Sequence, residues 1–371
     1  MQTAMSHNLA AVVLAGGSGT RFWPLSTADR PKQFLKLSGQ RSMIQMSVDR
    51  LRAFLPAERI LILSNEQYAG LLREQLPEIP ASNIILEPCA RDTAAACALA
   101  ALVCEARFGS CVIATVTADH HIDTQEEFQT AILSAIDGIS AEPTALYTLG
   151  ITPYYPAISY GYLKCGVELD SHRHVKHFQL TAFREKPDRE LATNYFESRD
   201  YLWNSGMFVW RSTAILDAFA LHSPDHVEKL KPVLQYCASG SDVDGKDAEH
   251  ERFATAFASL EKISIDYAIM EKVKNIRCVV PKFTWNDVGG WLSLESFLTK
   301  TDGNWSNVSF HTLDGNNNIV FSEDEGEDIA ILGVSDIVAV RSANRTLIMH
   351  REYAEKLKQV VSNIAKPQTV K

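Results

Sequence analysis

The chain has 371 residues, 46% of them hydrophobic, and a net charge of −9 at neutral pH. That length suits a substantial core and about two domains, and the ordinary composition excludes a fibrous or disordered protein. The acidic balance argues against a nucleic-acid partner, which calls for a basic face. No apolar run approaches the roughly 20 residues of a membrane span, so no membrane partner is expected.

In chain order, "LAAVVLAG" (9–16) reads as a buried strand that runs straight into glycines. With no cationic segment ahead of it, it does not resemble a secretory signal, and a cytoplasmic location is expected. Helical spacing follows in "SMIQMSVDRLRAFL" (42–55), then an apolar run in "RILILSN" (59–65). "QYAGLLREQL" is again helical, "NIILEP" extended, and "DTAAACALAALVCEARF" (92–108) a long helix. "CVIATVTADH" (111–120) is a buried strand, "EEFQTAILSAIDGI" (126–139) a helix and "TALYTLGI" (144–151) a strand. Strand and helix in strict turn predict an α/β fold, a mostly parallel open sheet flanked by helices. Ligands in such sheets bind beyond the carboxyl ends of the strands. "AGGSGTR", "LEPCARDT" and "TADHH" all fall there.

The acidic stretch 239–251 reads as a surface loop. Beyond residue 295 the chain breaks into short β-rich runs separated by Asn, Gly and Asp, without a clean repeat, and ends in an amphipathic helix over 351–364. We therefore expect two domains: residues 1–295, and a small β-rich, β-helix-like domain over residues 296–371.

Seven cysteines form no CxxC pair, and the odd number cannot all pair internally. Cys97, Cys104 and Cys111 recur every seven residues and read as buried thiols. His120 and His121 are adjacent on a strand and point to opposite faces, which disfavours a shared metal.

The opening stretch carries the chemistry. Between Gly16 and Lys36 stand four cations (Arg21, Arg30, Lys32 and Lys36) against one anion, Asp29. Glycines after a strand let backbone N–H groups approach a phosphate chain. The run is not a Walker A loop, since Gly-Thr-Arg-Phe replaces Gly-Lys-Ser/Thr. It is not a dinucleotide fingerprint either, since Phe22 stands where a third glycine belongs, so a nicotinamide oxidoreductase is excluded. Arginine can clamp phosphate oxygens in pairs, and lysine supplies a compact charge.

"LAGGSGTRFWPLSTADRPKQFL" (14–35) resembles the signature of the sugar-nucleotide pyrophosphorylases, and specifically of the mannose-1-phosphate guanylyltransferases. In the same order follow "ILEPCARDTAAA", "TADH", "SYGYL", "FREKP", "WNSGMF", "SIDYAIMEK" and "WNDVGGW". The resemblance implies a Rossmann-like nucleotidyltransferase fold. It implies a reaction of GTP with α-mannose 1-phosphate giving GDP-mannose and pyrophosphate. Gly16, Gly17 and Gly19 would cradle the nucleotide, Arg21 the triphosphate, and Lys32 the reacting phosphates. Glu87 would receive the guanine edge, with Arg91, Thr93 and Ala94 around it. Gly161, Glu185, Lys186 and Asn204 would hold the sugar phosphate. Asp119 and Asp287 would share Mg²⁺, with Asp119 taking part in catalysis.

Trp203, Trp285 and Trp291 read as walls and core. The chain departs from the family's usual residues at several places, among them Ile158-Ser159 beside the sugar motif. Another sugar 1-phosphate or another nucleotide therefore stays open, as does a catalytically silent regulatory subunit, although the latter would be expected to have lost Arg21, Lys32, Asp119 or Asp287. Many bacterial members of the family carry an added isomerase domain; this sequence leaves no room for one after the β-rich segment, so a monofunctional transferase is expected, with homodimerisation an open expectation.

Overall fold

The computed structural model describes residues 8–17, 19–238 and 248–364. The chain forms two compact units, and each is assembled from separate stretches. The first holds the residues up to Gly16 together with Ser47–Ala118 and Ile122–Trp285; the second holds Gly17–Met46, Asp119–His121 and the residues from Asn286 onward.

The first unit is built on nine strands: β1 (Leu9–Leu14), β2 (Ile60–Asn65), β3 (Ile84–Glu87), β4 (Val112–Thr117), β5 (Leu146–Ile151), β6 (Tyr162–His172), β7 (Val175–Arg184), β8 (Tyr201–Arg211) and β9 (Ile276–Val280). They form one sheet in the order β3-β2-β1-β4-β8-β5-β9-β7-β6. From β3 to β4 the ladders are parallel, as the alternation of strand and helix predicts. Ala10–Val13 and Ile60–Leu63 are almost wholly buried, as strands with both faces covered must be.

The sheet as a whole is mixed. β8 lies antiparallel between β4 and β5, β9 is parallel to β5 and antiparallel to β7, and β6 and β7 form an antiparallel hairpin whose first strand also pairs with the start of β8. That hairpin turns on Arg173 and His174, with φ of 52° and 62°. Tight two-residue hairpins need positive φ at both central residues, usually supplied by Asn or Gly. Here an Arg-His pair supplies it, so the turn has no sequence signature.

Helix Asp92–Phe108 explains its alanine-rich sequence. Eleven of its residues are buried, in one core with Leu61 and Ile85 from strands and with Phe219 and Phe253 from other helices. A helix covered on all sides needs small apolar residues all round, and Cys97 and Cys104 serve as two of them. Residues 239–247 of the expected surface loop lie outside the described residues, and its last four open helix Ala248–Ala258. Among the described residues no helix is long and apolar enough to cross a membrane.

In the second unit, β10 (Thr299–Thr301), β11 (Asn304–Ser306), β13 (Ile319–Ser322), β15 (Ile337–Ser342) and β16 (Arg345–His350) form one sheet, and β12 (Ser309–Leu313) pairs with β14 (Asp328–Leu332). β13 is parallel to β11 and β15, and β12 is parallel to β14. Ile319 faces Val338 and Ser309 faces Asp328, an offset of 19 residues in both ladders. This is a short β-helix arrangement. Trp305 faces Ile319 at a shorter offset, so the coils differ in length and leave no clean sequence repeat.

Buried asparagines line the turns. Asn304 Oδ1 accepts from the Asn318 amide at 3.0 Å; Asn318 Oδ1 accepts from the Ile337 amide, and Asn318 Nδ2 donates to the Val334 carbonyl. Phe22, Leu25, Leu35 and Leu37 share a core with Trp291, Ile319 and Val338, which is why residues 17–46 group with the carboxyl-terminal stretch. The expected final helix is two elements, 3-10 turns over Arg351–Lys356 and a helix over Leu357–Ile364.

Candidate active site

The basic turn lies in the second unit. Gly19 has φ 57°, and a methyl group there would sit 2.5 Å from the backbone nitrogen of Lys32. Only glycine lets the loop fold back so closely. The Ser26 hydroxyl holds the fold by donating to the Gly19 carbonyl at 2.7 Å. Lys32 opens a 3-10 turn over Lys32–Phe34 and is itself buried.

Its ammonium meets two distant segments. Nζ donates to Asp119 Oδ2 at 3.0 Å and to the backbone carbonyl of Asp287 at 2.5 Å. Burial alone would raise the Asp119 carboxyl above its ordinary range. The charge and hydrogen bond of Lys32, with the nearby His120 ring, outweigh burial and hold it below that range. Arg21 approaches from another side, its Nη1 donating to the Gly289 carbonyl at 3.5 Å, and its Nε is buried without a hydrogen-bond partner. Phe22 packs edge-on against Trp291, whose Nε1 donates to the Trp23 carbonyl. Arg21, Lys32, Asp119 and Asp287 thus belong to one neighbourhood, and Gly17 and Gly19 to the same unit.

The donor set here fits Mg²⁺. Asp119 brings a carboxylate here, the hard ligand Mg²⁺ prefers, while Asp287 meets Lys32 through its backbone carbonyl; Mg²⁺ is commonly held by one or two carboxylates with phosphates and water completing the shell. The Asp119 side chain keeps 35% of its surface exposed beside Lys32. Among the described residues no group of three or more His, Cys, Asp or Glu is placed to hold a metal without other ligands.

The remaining candidates lie in the first unit. Glu87 ends β3 and is buried; a methyl group at Gly16 would lie 3.9 Å from its Oε2. Its Oε1 has no hydrogen-bond partner, and burial pushes its carboxyl up to about 7. Thr93 and Ala94 begin the buried helix, but their polar groups are engaged. The Thr93 hydroxyl accepts from the Ile265 amide at 2.9 Å, and the Ala94 amide donates to the Ile263 carbonyl. Arg91 donates to the Ala258 carbonyl, and its Nε is buried without a partner.

A second cluster surrounds Gly161. A methyl group there would sit 2.6 Å from Glu185 Oε2 and 3.3 Å from the Asn204 Cβ, so these side chains close in because position 161 has none. Lys186 Nζ pairs with Glu185 Oε1 at 2.9 Å, and the Glu185 amide donates to Glu271 Oε1. Burial pulls the Lys186 ammonium down, but the Glu185 hydrogen bond and the nearby carboxylates outweigh it and hold the group above its usual range. Rings of Tyr154, Tyr155 and Tyr160 pack edge-on against buried Trp203, and Tyr160 also meets Trp285.

Backbone strain marks the same places. Asp92, Lys186 and Val288 all have positive φ (65°, 39° and 48°). For a β-branched residue such as Val288 this is a genuine outlier, and such strain clusters at functional sites. Residues assigned no role from the sequence join them: Asp266, Thr148 and Glu271 all bond to the sugar candidates. "SIDYAIMEK" marks the segment, but nothing in its pattern singles out which acidic residue faces the cluster.

Fold and site together define a nucleotidyltransferase, and comparison with known proteins agrees. A family model for nucleotidyl transferases matches residues 10–302, and one for the mannose-phosphate isomerase/GMP-like β-helix domain matches residues 311–364. Mannose-1-phosphate guanylyltransferases of Escherichia coli and Klebsiella pneumoniae are each 36% identical over 355 residues, covering 95% of this chain and 73% of theirs. A crystal structure from Thermus thermophilus, described as a mannose-1-phosphate geranyltransferase, matches with a TM-score of 0.81 and 29% identity, covering 97% of this chain and all of that one. The chain belongs to the nucleotidyl transferase family and, within it, to the mannose-1-phosphate guanylyltransferases.

Proposed function

We propose that the protein transfers GMP from GTP to α-D-mannose 1-phosphate, forming GDP-mannose and pyrophosphate. The observation that carries the reading is that the Lys32 ammonium, within the family's signature turn, binds the Asp119 carboxylate and the Asp287 backbone carbonyl, 87 and 255 residues away. A phosphate oxygen of the sugar 1-phosphate attacks the α-phosphorus of GTP. A bond forms between them as the bond to the β-phosphate oxygen breaks, and pyrophosphate departs with that electron pair.

Two polyanions must be brought together, so the protein's task is positioning and neutralisation. Arg21 binds the departing phosphates, Lys32 offsets charge on the attacking and transferred groups, and amides of Gly16, Gly17 and Gly19 support the nucleotide. Mg²⁺, held by Asp119 and Asp287, would supply Lewis-acid polarisation of the α-phosphate when bound. Glu87 accepts from the guanine N1–H and amino group, with Arg91, Thr93 and Ala94 walling the pocket. Glu185 and Asn204 bond the sugar hydroxyls, Lys186 reaches the sugar phosphate, and Gly161 lets its backbone approach the ring. The catalytic part comprises residues 1–295 and the appended domain residues 296–371. The cytoplasm is the compartment that supplies GTP.

Pyrophosphate release tests this over a panel of nucleoside triphosphates and hexose 1-phosphates, with Mg²⁺ present and chelated. Turnover with GTP and mannose 1-phosphate, lost on chelation, is expected. No turnover with that pair rejects the proposal.

A further inference from the structure

The sugar cluster contains a carboxylate that no sequence signal assigned. Asp266 begins a single π-helical turn over Asp266–Met270, a local irregularity frequent at functional sites. Its Oδ1 accepts from Asn204 Nδ2 at 3.1 Å. Asn204 Oδ1 accepts from the Gly206 amide at 3.1 Å and faces the Thr148 hydroxyl, whose one proton lies between it at 3.1 Å and the Met207 carbonyl at 3.2 Å. An amide oxygen has two lone pairs. One is used by the Gly206 amide and the other is turned toward Thr148, so what Asn204 presents to a ligand is its one remaining N–H. A sugar is rich in hydroxyl donors, and the acceptors facing it must come from elsewhere. Glu185 is one; Asp266, close enough to repel it, is the other.

We propose that Asp266 is a specificity-determining residue of the sugar site: with Glu185 it accepts hydrogen bonds from a pair of sugar hydroxyls, while it fixes the Asn204 amide as a donor. This rests on the transferase reading above. Its segment is well placed for the task. Ile263 and Ile265 are bonded to Ala94 and Thr93, Asp266 to Asn204, and Glu271 to the Glu185 amide. One stretch of chain therefore ties the segment after Glu87 to the sugar cluster.

Two carboxyls crowded together should be unfavourable in the free protein. Burial, and then the Glu185 charge, push the Asp266 carboxyl up to about 7. Asp266→Asn keeps the shape and removes the charge, so it should fold at least as stably as wild type. A merely structural residue would behave in the opposite way.

The test is calorimetric binding of mannose 1-phosphate, its monodeoxy analogues and GTP to wild type and D266N, with thermal unfolding of both. D266N should bind mannose 1-phosphate about tenfold more weakly or worse, with GTP affinity changed less than about twofold and Tm unchanged or raised. For the deoxy analogue lacking the partner hydroxyl, the two proteins should bind equally, the coupling a direct contact requires. Undiminished binding by D266N, an equal loss across every analogue, or a lowered Tm overturns the role of Asp266 alone. If wild type itself binds no sugar 1-phosphate, the transferase reading falls as well.

Discussion

Glu87 carries a largely buried carboxyl, with one oxygen unpartnered and a proton affinity raised by burial to about 7. Folding therefore takes up a proton between the ordinary carboxylate range and neutrality. The stability tied to that proton is full at pH 4 and is lost as pH rises through about 7. Glu87→Gln escapes this loss. Its stability relative to wild type should rise by on the order of 2–3 kcal/mol between pH 5 and pH 8, read from urea midpoints. The guanine edge presents donors and favours the ionised form, so GTP affinity should weaken about tenfold from pH 8 to pH 6 in wild type and stay nearly flat in E87Q. A parallel pH dependence in both proteins would separate Glu87 from the base. The residue is visible in the sequence only as part of "LEPCARDT"; its burial follows from the packing around β3.

At the scale of elements, the β-helix turns depend on asparagines that no apolar residue can replace. Asn318 is wholly buried and serves the Ile337 amide and the Val334 carbonyl. Asn318→Ala orphans both, at about 1–3 kcal/mol each. We expect a loss on the order of 2–4 kcal/mol in chemical denaturation and faster hydrogen exchange at Ile337; unchanged exchange there would show that other groups satisfy the turn. The helices over 92–108 and 126–139 and the first parallel strands were legible because their periodicity is set by local burial. The β6–β7 hairpin was not, because Arg173-His174 lacks turn chemistry and its conformation is imposed by the pairing of the strands. Likewise Thr93 and Ala94 lie in a recognisable motif, but only the fold shows their polar groups bonded to residues 263–265.

For the whole molecule, Lys32 acts as a cross-link between segments far apart in the chain. Its side chain is 8% exposed and that of Asp119 35%. Removing either partner has unequal consequences. Lys32→Met leaves a carboxylate that is partly solvated, whereas Asp119→Ala leaves a more deeply buried ammonium short of its counter-charge. Asp119→Ala should therefore be the more destabilising at pH 7, by about 1–3 kcal/mol, and the double variant should lose less than the sum. Urea titration of the three variants decides it, and a larger loss for Lys32→Met would contradict the asymmetry.

The order of motifs determined the family, and the alternation of strand and helix the parallel start of the sheet, because those depend on local pattern and on chemistry carried by single side chains. Tertiary structure alone decided which oxygens Lys32 holds, that the Asn204 oxygen is turned to Gly206 and Thr148 while its nitrogen donates to Asp266, and that Asp266 therefore joins the cluster around Gly161. Hydrogen bonds between residues 62 to 255 positions apart leave no trace in spacing. They are settled by which groups remain unpaired once the core has closed.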